Sequence, residues 1–260
     1  MKIKIKVKDF LKKHIFLRKI ARKVYIIKNK LKYKINTMGI KVDEKTIIFG
    51  CFNGRSYCDS PKAIYEYMIN CNEYKDFNFI WTFEDVKSHE YLKNNSNTRI
   101  VKYKVKEFYK ALAKSKYWIF NYKIQDHIFP KKNQIFLQCW HGTPLKRLGC
   151  DLEHFNNAMN SISEIRQRYH IEANKFNYFI SPSKFATEKF ISIWDLERIN
   201  KADIIIEEGY PRNDFLINFK QKDIDNIKKK LKIDNINKKV ILYAPTYRDN
   251  QHSSKDGYTY

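Results

Sequence analysis

The chain alternates short apolar runs with segments whose apolar residues recur every three or four positions. The second kind, for example 61–71 and 105–114, predicts amphipathic helices. Strands and helices that take turns are typical of βα units on a mostly parallel sheet, so we expect an α/β domain at residues 41–220. The short runs predict eight strands, at residues 46–49, 79–82, 99–101, 117–121, 134–140, 178–181, 204–207 and 240–244.

Residues 1–40 differ in composition from the rest of the chain and form a basic amphipathic segment. Within residues 1–35 there are fourteen Lys and Arg against one acid, Asp9, and from Phe10 onward apolar residues recur at helical spacing. Such a helix on an anionic membrane gains about 1 kcal/mol per suitably placed cation. We expect residues 1–35 to hold the protein peripherally at the cytoplasmic face of the membrane. The alternative is a solvated helix docked on the core domain.

The net charge of +23, from 51 Lys and Arg against 28 Asp and Glu, favours polyanionic partners. Anionic lipid, phosphate-rich polymer and nucleic acid all qualify, but no zinc-finger, RNP or helix-turn-helix pattern supports nucleic acid. Five cysteines without a C-x-x-C pair or metal-ligand spacing indicate a reducing compartment and no metal site. We find no apolar stretch near the roughly 18 residues of a membrane span, and no signal-peptide core.

Three loops that follow predicted strands carry candidate chemistry. His141 follows the strand at 134–140, beside Gly142 and two residues before the φ-locked Pro144. Imidazole exchanges protons near neutral pH, and loops at the carboxyl ends of parallel strands bind ligands. An ordinary packing or loop histidine is the alternative.

The other two loops could bind anions. Asn53, Gly54 and Arg55 precede a helix that we expect Ser60 to cap, an arrangement that can present N–H groups to an anion or form only a tight turn. Arg212 can hold two phosphate oxygens with its planar fork, or pair with Asp214 in a salt bridge.

Ser183 fits an N-cap better than a nucleophile, because no G-x-S-x-G elbow is present.

The stretch Trp140-His141-Gly142-Thr143-Pro144-Leu145-Lys146 resembles the signature of the CDP-glycerol glycerophosphotransferase family, the teichoic-acid polymerases and primases. Other blocks resemble that family in the same order: Asn53-Gly54-Arg55-Ser56-Tyr57, Asp59-Ser60-Pro61-Lys62-Ala63-Ile64-Tyr65-Glu66-Tyr67, Ser181-Pro182-Ser183, Gly209-Tyr210-Pro211-Arg212-Asn213-Asp214 and Tyr243-Ala244-Pro245-Thr246-Tyr247-Arg248-Asp249.

The resemblance implies a glycosyltransferase B fold with two Rossmann-like domains. Residues 41–220 would form the acceptor-side domain, and residues 221–260 a linker helix and the start of the nucleotide-binding domain. The family's second important histidine has no match, since His154, His170 and His252 stand in other surroundings. We therefore expect either a fragment of a longer protein or a truncated product.

The resemblance also implies the reaction. Glycerol phosphate, or a related polyol phosphate, would pass from CDP-glycerol or CDP-ribitol to a lipid-linked teichoic-acid or capsule-type acceptor, releasing CMP without a cofactor or metal. His141 would be the general base, which Asp151 could orient. Asn53, Gly54 and Arg55 would form an acceptor loop. The alternative is a non-catalytic module that binds anionic membrane or polymer. The implied substrate-binding residues are Trp140, Gly142, Thr143, Pro144, Arg212, Pro245, Thr246 and Arg248.

Overall fold

The computed structural model describes residues 14–154, 160–233 and 240–244. The chain divides into two compact units, Met1–Phe215 and Leu216–Tyr260. The first unit contains the sheet, and the second contains the helix Gln221–Lys230. Among the described residues, no helix is both long enough and apolar enough to cross a membrane.

Seven strands form one parallel sheet in the order β3-β2-β1-β4-β5-β6-β7. The order reverses between β1 and β4, as it does in doubly wound nucleotide-binding domains. The strands are β1 (Asp43–Gly50), β2 (Asn78–Phe83), β3 (Thr98–Lys102), β4 (Ser115–Phe120), β5 (Ile135–Gln138), β6 (Tyr178–Ile180) and β7 (Ile205–Ile206).

Apolar side chains on both faces of the sheet explain its long buried runs. Along β1, Ile48 belongs to one apolar cluster with Trp118 and Phe136, whereas its neighbour Phe49 stacks on Trp81 in the other. Helix α1 (Ile15–Thr37) precedes the first strand. Helices α2 (Asp59–Ile69), α3 (Lys106–Lys114), α4 (Ile162–Ala173) and α5 (Lys184–Trp194) connect strands, and α6 (Phe215–Asn218) and α7 (Gln221–Lys230) follow the last strand.

The predicted α/β class and the first seven predicted strands are confirmed, with shifted ends. The eighth prediction, residues 240–244, is wrong, because this stretch pairs with no strand in the described part of the chain. Its apolar side chains stay exposed, Ile241 at 89%. An apolar run becomes a strand only when a neighbour accepts its backbone hydrogen bonds.

The cap of α2 also differs from the prediction. The helix starts at Asp59, so Ser60 lies inside its first turn, and the buried Ser60 hydroxyl has no hydrogen-bond partner among the described residues. The caps at α4 and α5 are regular: Ser161 forms a capping box with Glu164, and Ser183 accepts from the Ala186 N–H at 3.4 Å as predicted.

Helix α1 is docked on the core of its unit through charged contacts. Arg18 and Arg22 both donate to the buried carboxylate of Glu164, each at 2.9 Å. Near the other end of the helix, Tyr33 packs edge-on against Tyr109 of α3. The side of α1 that carries Arg18 and Arg22 is therefore docked on the core, as the alternative interpretation of this helix predicted.

Candidate active site

Three loops meet where the strand order reverses. They follow the carboxyl ends of β1, β4 and β5 and bring together Phe52, Asn121 and His141. A crevice at such a switch point is the usual ligand site of open α/β sheets.

The His141 ring is held in a defined orientation. Its Nδ1 lies 2.8 Å from the Asn121 carbonyl oxygen, and the ring stacks on Trp140 at 4.1 Å between centroids. Because a carbonyl only accepts, Nδ1 carries the proton and Nε2 of the neutral ring keeps its lone pair. His141 is exposed, so Nε2 can receive a proton from a bound hydroxyl.

Asn121 is the buried centre of the site. Its backbone carbonyl orients His141, its side-chain oxygen accepts from the Phe52 N–H at 2.9 Å, and its amide donates to Asp59 at 2.5 Å. The side chain is fully buried. One residue thus fixes the loops after β1 and β5 relative to each other.

Arg212 reaches this cluster from the loop after β7. Its Nη1 donates to Asp59 at 2.8 Å and to the His141 carbonyl oxygen at 3.1 Å, and its guanidinium lies 4.7 Å from the Tyr210 ring centre. The Arg212 side chain remains 33% exposed, whereas that of Asp59 is 4% exposed. The predicted alternative, a salt bridge to Asp214, is wrong because Asp59 takes that place.

Strained backbone is concentrated around the histidine. Phe52, Asn53, Asp59 and Trp140 all have positive φ, between 44° and 63°. For bulky side chains such as Phe52 and Trp140 this conformation is costly, and it persists only where the surroundings enforce it. Such strain is typical of ligand-binding loops.

The loop Asn53-Gly54-Arg55 is more structural than predicted. The Gly54 N–H donates to the Cys51 carbonyl at 2.8 Å, and Arg55 Nε donates to the Phe52 carbonyl at 2.9 Å. Asn53 accepts from the Tyr103 hydroxyl at 3.1 Å. The Gly54 N–H is therefore already hydrogen-bonded within the turn and is not available to an anion, as in the tight-turn alternative. The Arg55 side chain is exposed.

The remaining predicted residues divide into two groups. Gly142 has open space where a Cβ would be, Thr143 is exposed and Pro144 is buried, so Gly142 and Thr143 line the approach to His141. Pro245, Thr246 and Arg248 lie outside the described residues.

The expectation that Asp151 orients His141 is wrong, because the Asp151 carboxylate accepts a hydrogen bond from Ser192 and the Asn121 carbonyl orients the ring. Asn121 was not predicted as a site residue, and Asp59 was predicted only as part of a motif. The only indication in the sequence was that both are polar residues that follow a buried strand. Asn121 comes directly after its strand, and Asp59 lies further along the chain after β1.

The fold and this site define a doubly wound α/β protein with an oriented, exposed histidine at its switch point. A family model described as CDP-Glycerol:Poly(glycerophosphate) glycerophosphotransferase matches residues 31–260. The chain belongs to this family, as the resemblance of its motifs indicated.

Individual relatives agree with the family match. A teichoic acid poly(glycerol phosphate) polymerase of Staphylococcus epidermidis is 35% identical over 254 residues, which cover 94% of this chain and 33% of the relative. A teichoic acid glycerol-phosphate transferase of Staphylococcus aureus is 33% identical over 224 residues, covering 85% of this chain and 55% of the relative.

Solved structures share the fold. The wall teichoic acid polymerase TagF superposes with a TM-score of 0.75 at 31% identity, covering 94% of this chain and 59% of TagF. A histidine variant of TagF soaked with CDPG gives a TM-score of 0.76. The chain thus spans between a third and three fifths of the length of these proteins.

Proposed function

We propose that this chain is the acceptor-side half of an enzyme that transfers glycerol phosphate, or a related polyol phosphate, from a CDP-activated donor to a lipid-linked teichoic-acid or capsule-type acceptor. The observation that carries the proposal is the His141 ring, exposed at the switch point with its Nδ1 2.8 Å from the Asn121 carbonyl oxygen. The soak of a related polymerase with CDPG supports the choice of donor.

In this mechanism His141 acts as the general base. Nε2 takes the proton of the acceptor's terminal hydroxyl as its oxygen attacks the β-phosphorus of the CDP-polyol. The bond between that phosphorus and the bridging oxygen breaks, and CMP leaves with the bond's electron pair. Proton transfer to a positioned imidazole contributes about 10²- to 10⁴-fold to the rate.

Arg212 supplies positive charge beside the base. Its Nη1 is anchored to Asp59, which fixes the guanidinium, while its partial exposure leaves it able to approach a phosphate. A preorganised cation stabilises the charge that develops on phosphate oxygens in the transition state. No cofactor takes part in this proposal.

We place this domain in a glycosyltransferase B architecture, in which a second Rossmann-like domain holds the nucleotide. The support is the family membership and the strand order of the sheet. His141 would then face the donor from the acceptor side. Pro245, Thr246 and Arg248 keep their predicted role at the donor diphosphate.

The outer side of α1 supports peripheral binding to the cytoplasmic face of an anionic membrane. At helical spacing, this stripe lies roughly opposite the side that Arg18 and Arg22 dock on Glu164. Exposed lysines border it, among them Lys23, Lys30 and Lys32. A lipid surface would cover the apolar stripe and attract the lysines. The stripe consists of Phe16, Ile20, Val24, Ile27, Leu31 and Ile35, all exposed.

Two measurements test the proposal. CMP release by the full-length protein is followed with CDP-glycerol and with CDP-ribitol, with and without acceptor, for the wild type, His141→Asn and the control His89→Asn. We expect one donor to be turned over, and only H141N to lose at least about 100-fold in rate. Equal activity of H141N and the wild type would refute the role of His141, and no CMP release from either donor would refute the reaction.

For membrane binding, glutamine at Lys19, Lys23, Lys28, Lys30, Lys32 and Lys34 should release the protein from anionic vesicles. Unchanged vesicle binding would refute the role of α1.

A further inference from the structure

Cys150, His170 and Asp195 converge at a point outside the candidate active site. Cys150 lies in the short 3₁₀ turn Gly149–Asp151, His170 in the last turn of α4, and Asp195 directly after α5. His170 Nε2 is 3.3 Å from Cys150 Sγ and 3.0 Å from Asp195 Oδ2. All three ligand atoms lie within 4.8 Å of one another.

This cluster is not a nucleophilic triad. In a Cys–His–Asp triad the thiol and the carboxylate contact opposite nitrogens of the imidazole. Here both face the same nitrogen, Nε2. A nitrogen, a sulfur and an oxygen grouped in this way are instead arranged like the ligands around a metal ion.

The two distances from His170 Nε2 are close to those between ligands of a tetrahedral ion. Metal–ligand bonds of about 2.0–2.3 Å place neighbouring ligand atoms roughly 3.3–3.7 Å apart. The distances from His170 Nε2 are within a few tenths of an ångström of that range. Arg198 Nε donates to Asp195 Oδ2 at 2.7 Å, but a carboxylate offers about four lone-pair sites, so it can serve both partners.

The electrostatics of the adjoining cavity point the same way. A cavity of about 650 Å³ opens beside the cluster, and its lining carries four carboxylates and one arginine, Arg166, while a second arginine, Arg198, contacts Asp195. In a chain with a net charge of +23, such an acidic wall favours a cation. The carboxylates belong to Asp151, Glu188, Asp195 and Glu197.

We propose that Cys150, His170 and Asp195 bind one divalent ion of the zinc class, with a fourth position open toward the cavity. Thiolate, imidazole and carboxylate together are a donor set typical of zinc. The metal replaces the proton of the Cys150 thiol, which passes to solvent. The spacing of these residues along the chain matches no metal motif, which is why the sequence predicted none.

The ion would brace the support of the candidate active site. It would join the end of the His141 loop to α4 and α5. Trp194, next to Asp195, packs edge-on against Trp140 at 4.7 Å, and Trp140 stacks on the His141 ring. The cluster does not contact His141 itself, so the ion would act on the candidate active site only through these packing contacts.

The proposal is tested by metal binding to the purified protein. After treatment with a chelator, the protein is titrated with Co²⁺, and Zn²⁺ affinity is measured by competition with a chromophoric chelator. We expect one equivalent of cobalt and a thiolate-to-cobalt charge-transfer band. Wild-type protein without that band would overturn the proposal, whatever the variants do.

Variants assign the ligands. Cys150→Ser should abolish the band, and Cys150→Ser, His170→Asn and Asp195→Asn should each weaken zinc binding by at least about 100-fold, more than the loss of a supporting residue causes. The control Cys71→Ser, a half-buried cysteine elsewhere, should leave both unchanged. If Cys150→Ser retains the band and the affinity, the site is wrong. Circular dichroism of each metal-free variant checks its fold.

Discussion

Arg212 Nη1 lies 2.8 Å from Asp59 Oδ1, although the two residues are 153 positions apart in the chain. The pair joins the loop after β7 to the first turn of α2, and Asp59 in turn accepts from Asn121. A cation, a carboxylate and an amide thus form one hydrogen-bonded chain that ends at the carbonyl orienting His141. The position of the His141 ring and the position of Arg212 therefore depend on the same residues.

Asp59→Asn should weaken the anchoring of Arg212. Arg212 donates to Asp59 Oδ1 and Asn121 donates to Oδ2, and in asparagine one of these two positions becomes an NH2 group that cannot accept. We expect the turnover of the full-length enzyme to fall by about 10- to 100-fold, because Arg212 loses its charged anchor. Asp214→Asn is the matched control, since Asp214 is the neighbouring acid that Arg212 does not use, and its turnover should match the wild type. Equal rates for the two variants would contradict this account.

Asn121→Ala should lower stability as well as activity. It removes both side-chain hydrogen bonds of a fully buried residue and leaves the Phe52 N–H without its partner. We expect a loss of about 2–4 kcal/mol in the free energy of unfolding, measured by urea denaturation. Asn70→Ala, which removes a surface hydrogen bond at the end of α2, should cost less than about 1 kcal/mol. Similar losses at the two positions would show that Asn121 is not a structural centre.

Seven strands were predictable because a parallel sheet covered on both faces needs continuous apolar runs. His141 and Arg212 were predictable as residues of loops that follow strands. Asn121 and Asp59 were not, since 62 positions separate the two partners and only folding brings them together. Residues 240–244 show the opposite error, a strand that was predicted but is not formed. Their apolar side chains indicated a strand, but in the described part of the chain no neighbouring strand pairs with them.

Gly54 and Gly142 should respond differently to alanine. Gly54 has φ +82°, and a Cβ there would lie 3.1 Å from the Glu84 nitrogen and from Tyr103 Cβ. We expect Gly54→Ala to destabilise the protein by about 1–3 kcal/mol. A Cβ at Gly142 meets no atom of the described residues within 4 Å, so Gly142→Ala should keep the stability and affect only substrate binding, seen as a raised KM. Thermal unfolding of both variants decides the point, and equal midpoints would contradict it.

Cys58 should be the most reactive of the buried or half-buried cysteines around α2. A hydrogen bond from the Cys51 thiol lowers the pKa of Cys58 to about 6, and Ser56 contributes to this. Burial raises the pKa of Cys139 well above its ordinary value. At pH 7.5 iodoacetamide should therefore modify Cys58 and leave Cys139 unmodified, with a rate that rises through a midpoint near pH 6. Peptide mass spectrometry measures this, with Cys58→Ser as the control. Preferential labelling of Cys139 would be inconsistent with these environments.

Glu164 should make the docking of α1 sensitive to acid. Burial raises the pKa of this carboxyl, but the Ser161 N–H and the Arg18 and Arg22 guanidinium groups outweigh it and lower the pKa below its ordinary value of 4.5. A group whose pKa is lowered by folding contributes stability above its unfolded pKa, and that contribution disappears as the pH falls through the folded value. Stability from this carboxylate is therefore complete at neutral pH and disappears as the pH falls from the unfolded pKa through the lower folded pKa.

Glu164→Gln tests the sign of this dependence. At pH 7 the variant should be less stable than the wild type by about 2 kcal/mol, because two arginines lose a carboxylate that is only 3% exposed. As the pH is lowered from 7 to 3, the gap between the two urea midpoints should narrow, since the wild-type carboxyl takes up a proton while the amide does not change. Glu90→Gln, which removes an exposed pair with Lys93, should track the wild type throughout. A gap for E164Q that stays constant down to pH 3 would mean that Glu164 acts through packing and not through its charge.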